Sequence, residues 1–240
     1  MTLHSLPVFL RLAGRPVMLI GEGDSADAKR RLLERAGATI VGEKDDAALA
    51  IVALEDPDAT VARLKARGVL VNAVDRPDLC DFTLPAIVDR SPVIVAIGTG
   101  GASAGLAAAL RQRLESLLPT TLGGLADALY TVRARLKASL PDMDARRRAL
   151  AQALSEGGAL DPLTADAASV GAWHGDASRP RAIEAIRLFS PDPDDLTLRQ
   201  ARLLAQADRV VHTPDVPTAI LDRARADAPR IVSVAPPVNP

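Results

Sequence analysis

One cysteine, Cys80, stands in 240 residues, which excludes an internal disulfide and any cysteine-based zinc cluster. Aromatic residues make up only 2% of the chain, too few for a surface that stacks nucleobases. Charge of neither sign dominates: 29 basic against 30 acidic residues leave −1, so no general basic field points to nucleic acid. Long apolar runs are missing as well. Each is broken by Arg, Asp or Gly within about 10 residues, against roughly 20 for a membrane-spanning helix. The first apolar segment carries Arg11 and Arg15 and has no signal-peptide pattern. His4, His174 and His212 lie far apart without ligand spacing, so no protein metal site is expected. What is present is ordinary globular composition, 48% hydrophobic and 25% charged. The expectation is a soluble cytoplasmic protein with neither nucleic acid nor membrane as partner.

Short continuous apolar runs alternate with stretches of helical spacing. Pro16–Ile20, Thr39–Val41, Leu49–Leu54, Val69–Asn72 and Pro92–Ile97 read as strands; Ser25–Ala36, Pro57–Arg67 and Ser103–Leu118 read as helices. This predicts an α/β fold, a Rossmann-like parallel sheet with helices on both faces. From Pro119 the pattern changes to two helices, Leu122–Leu140 and Met143–Leu154. The division expected is a nucleotide-binding domain over 1–118, a helical region over 119–160, an Ala/Gly/Asp/Pro-rich linker over 161–182, and a strand–helix–strand segment over 183–240.

Gly21-Glu22-Gly23-Asp24-Ser25-Ala26 fits G-x-G-x-x-A between a strand and a helix. Gly21 permits the turn, Gly23 leaves the backbone open to a pyrophosphate, and Ala26 lets the helix pack on the sheet. The alternative is a tight turn without a ligand. Glu43 is the candidate for the acidic residue that takes the adenosine ribose, or else a solvated turn residue. The next strand starts at Leu49, however, leaving no room for a crossover helix. Asp75 leaves a strand at its C-terminal end, where it fits either a general base or a cap on the turn at Pro77. A second loop, Gly98-Thr99-Gly100-Gly101-Ala102-Ser103, also joins a strand to a helix and suits a carboxylate or phosphate.

Several stretches together resemble the N-terminal module of siroheme synthase, the precorrin-2 dehydrogenase and sirohydrochlorin ferrochelatase family. They are Leu6-Pro7-Val8-Phe9, Leu19–Asp24, Leu33–Ala38, Val71–Asp75, Asp81–Pro92, Ala96–Ser103 and Leu114–Pro119. The resemblance covers residues 1 to about 155. It implies NAD as cofactor at Gly21, Gly23, Asp24 and Ser25, and Asp75 as the catalytic acid/base. It places Thr99, Gly100, Gly101 and Ser103 beside the tetrapyrrole; Arg90, Arg111 and Arg113 are candidate anchors for its carboxylates, or, for some of them, ordinary surface charge. The implied reaction oxidises precorrin-2 to sirohydrochlorin, with Fe2+ as a further substrate where the ferrochelatase step survives.

The helices after Pro119 resemble the family's dimerisation region, and Leu125, Leu129, Val132 and Leu136 form an apolar stripe expected to face a second copy in a homodimer. The family has one more strand–helix unit before the strand matching Leu49–Leu54; that unit is missing here. Ile186–Arg199 resembles the opening of the uroporphyrinogen-III methyltransferase domain with its glycine loop replaced, and is expected to be an inactive remnant removable after about Asp161. Rival readings are a tetrapyrrole-binding or carrier protein without the reaction, and a redox-sensing regulator, which the lack of a basic DNA-reading helix disfavours.

Overall fold

The computed structural model describes residues 3–175, 183–226 and 228–234. The chain divides into two compact units: residues up to Asp89 together with Ile94–Ser116, and Arg90–Val93 together with residues from Leu117 onward.

The first unit is built on a four-stranded, all-parallel sheet. Its elements are β1 (Pro16–Gly21), α1 (Asp24–Arg35), β2 (Thr39–Val41), β3 (Leu49–Ala53), α2 (Asp58–Ala66) and β4 (Leu70–Ala73), with strand order β2-β1-β3-β4. The strands are continuous apolar runs because both faces are covered. Val17, Leu19 and Ile51 on one face pack with Leu33 of α1. Met18, Ala50, Val52, Val71 and Ala73 on the other pack with Val61 and Leu64 of α2.

The register accounts for the short path from β2 to β3. Val41, the last residue of β2, pairs with Met18, and Ala50 of β3 pairs with the same Met18 from the other side. The segment Gly42–Ala48 therefore only has to cross the width of β1. Two strand spacings are about 9.5 Å, and seven extended residues reach up to about 25 Å. No strand–helix unit intervenes, as the spacing predicts. Ala47 packs partly buried on the α2 face. Asp45 accepts a hydrogen bond from the Gly42 N–H at 2.8 Å. Arg67, just past the end of α2, donates to the carbonyls of Glu43 and Asp45 at 2.6 and 2.8 Å.

The strand expected at Pro92–Ile97 does not extend the parallel sheet. β5 (Ala86–Arg90) and β6 (Val93–Ile97) form a separate two-stranded sheet. Only Ser91-Pro92 separates them, too short for the crossover a parallel pair needs. α3 (Ala104–Leu117) follows.

In the second unit, α4 (Leu122–Ser139), α5 (Met143–Ala153) and α6 (Ala167–Ala172) enclose a core of Leu125, Leu136, Ala149, Ala153, Leu160, Ala165, Val170 and Trp173. Two expectations are corrected here. Residues 161–175 are no linker: Asp166 and Ser169 cap α6 reciprocally, and Val170 and Trp173 are core. Asp161 is buried and accepts from the N–H groups of Leu163 and Gly157 at 3.0 and 2.8 Å, which holds its carboxyl below the ordinary carboxylate value. Residues 176–182 of the expected linker lie outside the described residues. The stripe expected to meet a partner is also turned inward. Leu125 and Leu136 are 2% and 4% exposed, with Leu129 and Val132 packed against the same core.

Beyond this core come α7 (Leu198–Ala205), β7 (Val210–His212), α8 (Thr218–Leu221) and β8 (Arg230–Val232), with β7 and β8 paired in parallel. The first strand expected in this segment does not form; Ile183–Phe189 is extended without a ladder, and Phe189 is exposed. Pro193–Asp195 form a 3-10 turn, capped by Asp192.

Trp173, buried in the helical core and inside the segment expected as linker, tests the corrected boundary. Trp173→Ala is expected to lower the unfolding free energy by about 3–5 kcal/mol in chemical denaturation, as for a core tryptophan. A linker residue would change it by less than about 0.5 kcal/mol.

Candidate functional site

The C-terminal edge of a parallel sheet is where loops open and ligands bind. Here that edge carries a cleft of about 420 Å³ lined by Glu22, Asp24, Ser25, Ala53, Leu54, Glu55, Val74, Asp75 and Arg76. Three strand ends supply it: β1 through the glycine loop, β3 through Ala53–Glu55, and β4 through Val74–Arg76.

The two glycines of the first loop do different work. Gly21 has φ +118, and a Cβ there would lie 2.0 Å from the Ala53 carbonyl oxygen, so glycine is what lets β1 close against β3. Gly23 has φ +83, and a Cβ there would meet nothing within 4 Å. It opens α1, whose first turn has no side-chain cap. The free N–H groups and the positive end of the helix dipole face open space, the donor set a phosphate needs. The residues present therefore fit a dinucleotide's pyrophosphate through the backbone.

The side chains supply a different field. Glu22, Asp24, Glu55 and Asp75 are carboxylates, and Arg76 is the one cation in the lining. Arg76 is engaged by Asp78 and Asp58, both at 2.9 Å. These bonds raise its pKa and, through Arg76, hold the carboxyls of Asp58 and Asp78 below their ordinary value.

Asp75 has φ +60, a left-handed conformation found at no other non-glycine among the described residues. Aspartate tolerates it better than most residues. The Val74 N–H still bonds to Val52 at 2.9 Å, so the chain leaves the ladder at Asp75 and turns its exposed side chain to the cleft. The following 3-10 turn, Pro77–Leu79, has no side-chain cap, so the alternative of Asp75 as a cap has no bond behind it. β4 is fastened below by Asp81, which accepts from the Val71 N–H at 3.0 Å and pairs with Lys65 at 2.8 Å. Burial works to raise its pKa, but the Lys65 and Val71 hydrogen bonds and the Lys65 charge lower it overall.

Gly21, Gly23, Asp24, Ser25 and Asp75 are thus brought together. Glu43 is not. It is gripped by Arg63 of α2 at 2.9 and 3.0 Å, away from the cleft lining, because the chain turns directly into the crossing segment after Val41. The second glycine loop lies near the cleft without lining it: a Cβ on Gly101 would sit 3.1 Å from Pro77. Its hydroxyls are committed locally. Thr99 Oγ1 bonds to Ser103 at 3.1 Å, and Ser103 accepts from the Leu106 N–H at 3.1 Å. Gly100 lies beneath the His4 ring, whose nearest atom would be 2.8 Å from a Cβ. Arg90 donates to the carbonyls of Leu118 and Pro119, and Arg111 to that of Ile87 at 2.8 Å. Both guanidiniums thus fasten backbone, which corrects the expectation of open carboxylate anchors. Sequence reasoning missed Glu55, Arg76 and the approach of His4; the position of Arg76 beside Asp75 was the available signal.

The fold is a Rossmann-like parallel sheet whose first strand and helix are joined by the glycine loop. A family model described as "Putative NAD(P)-binding" matches residues 42–86, which follow that loop in the chain. The chain is a relative of the siroheme synthases. It is 36% identical to that of Methylococcus capsulatus and 35% identical to that of Azotobacter vinelandii, over 94% of its own length in both cases. It spans a little over half of these relatives, 56% and 57%. The match to the Methylococcus protein runs over 266 aligned positions, of which 94% of 240 residues supplies about 226. That relative therefore carries at least about 40 positions that this chain lacks. A solved structure described as "SirC, precorrin-2 dehydrogenase" superposes with TM-score 0.49 at 23% identity, covering 64% of this chain and 90% of that one, too loose a likeness to transfer residue roles. Among the described residues, no helix is long and apolar enough to cross a membrane.

The two glycines separate by experiment. Gly21→Ala is expected to prevent accumulation of folded protein, because the clash is with backbone. Gly23→Ala is expected to fold, as judged by circular dichroism, and to weaken NAD+ binding in calorimetric titration by about tenfold or more.

Proposed function

We propose that this chain is an NAD-dependent dehydrogenase that oxidises precorrin-2 to sirohydrochlorin in the making of siroheme, releasing NADH and a proton. The relatives' shared name, siroheme synthase, supports the pathway. The observation that carries the reaction is Asp75, turned by its left-handed backbone into the cleft beside the glycine loop. NAD+, when bound, supplies the hydride acceptor. The residues that would hold it are Gly21, Gly23 and Ser25 with the first N–H groups of α1. Asp75 takes the proton that must leave the macrocycle as the hydride leaves. Insertion of Fe2+ into sirohydrochlorin, with Asp75 accepting pyrrole protons, belongs to the same reading, as do a cytoplasmic location and a homodimer.

Asp75→Asn keeps the shape and the tolerance for left-handed backbone but removes the basicity. It is expected to leave folding and NAD+ binding intact and to slow precorrin-2 oxidation by about 10²–10⁴-fold, followed by absorbance. A variant that works at the parent rate removes Asp75 from the chemistry.

For the homodimer, the covered stripe on α4 gives no support. Among the exposed apolar residues are Ile94 on β6 and Leu106 and Leu110 on α3, the last two one helical turn apart. Sedimentation at micromolar concentration is expected to give twice the 25.1 kDa chain mass, and Leu106→Glu with Leu110→Glu to return it to one.

A second reading, a tetrapyrrole-binding protein without dehydrogenase activity, is favoured by the early end of β2. It requires that NAD+ fail to bind, which titration decides.

A further inference from the structure

We propose that the cleft grips the cofactor by its nicotinamide mononucleotide half and leaves the adenosine half without a subsite. The proposal rests on the cofactor reading above and concerns how that site is divided.

In a two-sided dinucleotide site, an acidic residue following the second strand takes the adenosine ribose, so adenosine lies on the β2 side of the glycine loop and nicotinamide on the other. Here β2 ends at Val41, level with Met18, whereas β1 continues to Gly21, where it pairs with Ala53 of β3. β2 thus stops three residues, about 10 Å, short of the edge on which the cleft opens. Every residue lining the cleft comes from the glycine loop or from the ends of β3 and β4. None comes from β2 or the segment after it.

The acid that would mark the adenosine ribose has been carried to the opposite edge. α2 begins at Asp58, after β3 has reached the cleft edge, and runs back down the sheet. Arg63 and Arg67 are therefore toward its far end, close to the start of β4. It is these two that hold Glu43, Arg63 through the carboxylate and Arg67 through the carbonyl. Gly42–Ala48 crosses β1 and is tied down on the way, through Asp45 to the Gly42 N–H and through Arg67 to the carbonyls of Glu43 and Asp45, and none of it lines the cleft. The lining that remains is acidic, through Glu22, Asp24, Glu55 and Asp75. It suits the cationic nicotinamide ring of the oxidised cofactor, while the α1 N-terminus takes the phosphate.

The test titrates the full chain calorimetrically with NAD+, nicotinamide mononucleotide and AMP. Each fragment is then run as a competitor of NAD+. Nicotinamide mononucleotide is expected to bind at least about tenfold tighter than AMP, and Glu43→Gln to leave the NAD+ affinity within about threefold of the parent. A smaller margin between the fragments, a reversed order, competition by neither, or a larger loss in Glu43→Gln overturns the proposal. If NAD+ itself does not bind, the cofactor reading falls and this proposal with it. If NAD+ binds and Gly23→Ala weakens it, the cofactor reading stands whichever fragment wins.

Discussion

Met18 is paired on both sides, with Val41 of β2 and Ala50 of β3, and the sheet unit depends on that shared row. Because one strand ends and the next begins at the same level, the chain need not climb back along the sheet between them. A crossing of seven residues replaces the strand–helix unit that the family resemblance leads one to expect. The cost is a second strand of three residues that never reaches the ligand edge. The arginines of α2 are the counterpart of this economy. With no helix over the crossing, Arg63 and Arg67 tie its backbone and its one well-placed carboxylate to the sheet.

The same division of labour runs through the cleft. Phosphate recognition is assigned to backbone, where Gly23 leaves space, and the side chains are left to set the charge. Arg76 is engaged by Asp58 and Asp78, so its charge is spent on them and the Asp75 carboxylate stays open to the cleft. Gly21 at φ +118 brings β1 against β3, and Asp75 at φ +60 turns the end of β4 toward the loop so formed.

Much of the sheet unit was legible because its signals are local. Apolar runs bounded by glycine mark strands, and G-x-G-x-x-A between a strand and a helix marks the loop. The short spacing from Val41 to Leu49 announced the missing unit. What was not legible depends on partners distant in sequence. Glu43 follows β2 as a ribose acid should, and only its pairing with Arg63, twenty residues on, removes it from the site. Arg90 and Arg111 read as anchors for carboxylates until the carbonyls of Leu118 and Ile87 are seen beneath them. Asp161–Gly175 has the composition of a linker, yet a buried carboxylate, a capping box and two large apolar side chains, Val170 and Trp173, make it core. The Leu125–Leu136 stripe had the correct periodicity, but periodicity does not say which surface covers it.

Trp173 is the only tryptophan in the chain, and it lies in the helical core between Leu136 and Val170. The sheet unit has none. Tryptophan fluorescence therefore reports on one unit alone, while the amide signal of the backbone reports on both. The molecule carries a built-in optical separation of its halves, so a mismatch between the two transitions on heating would reveal directly whether they melt as one cooperative body or as two.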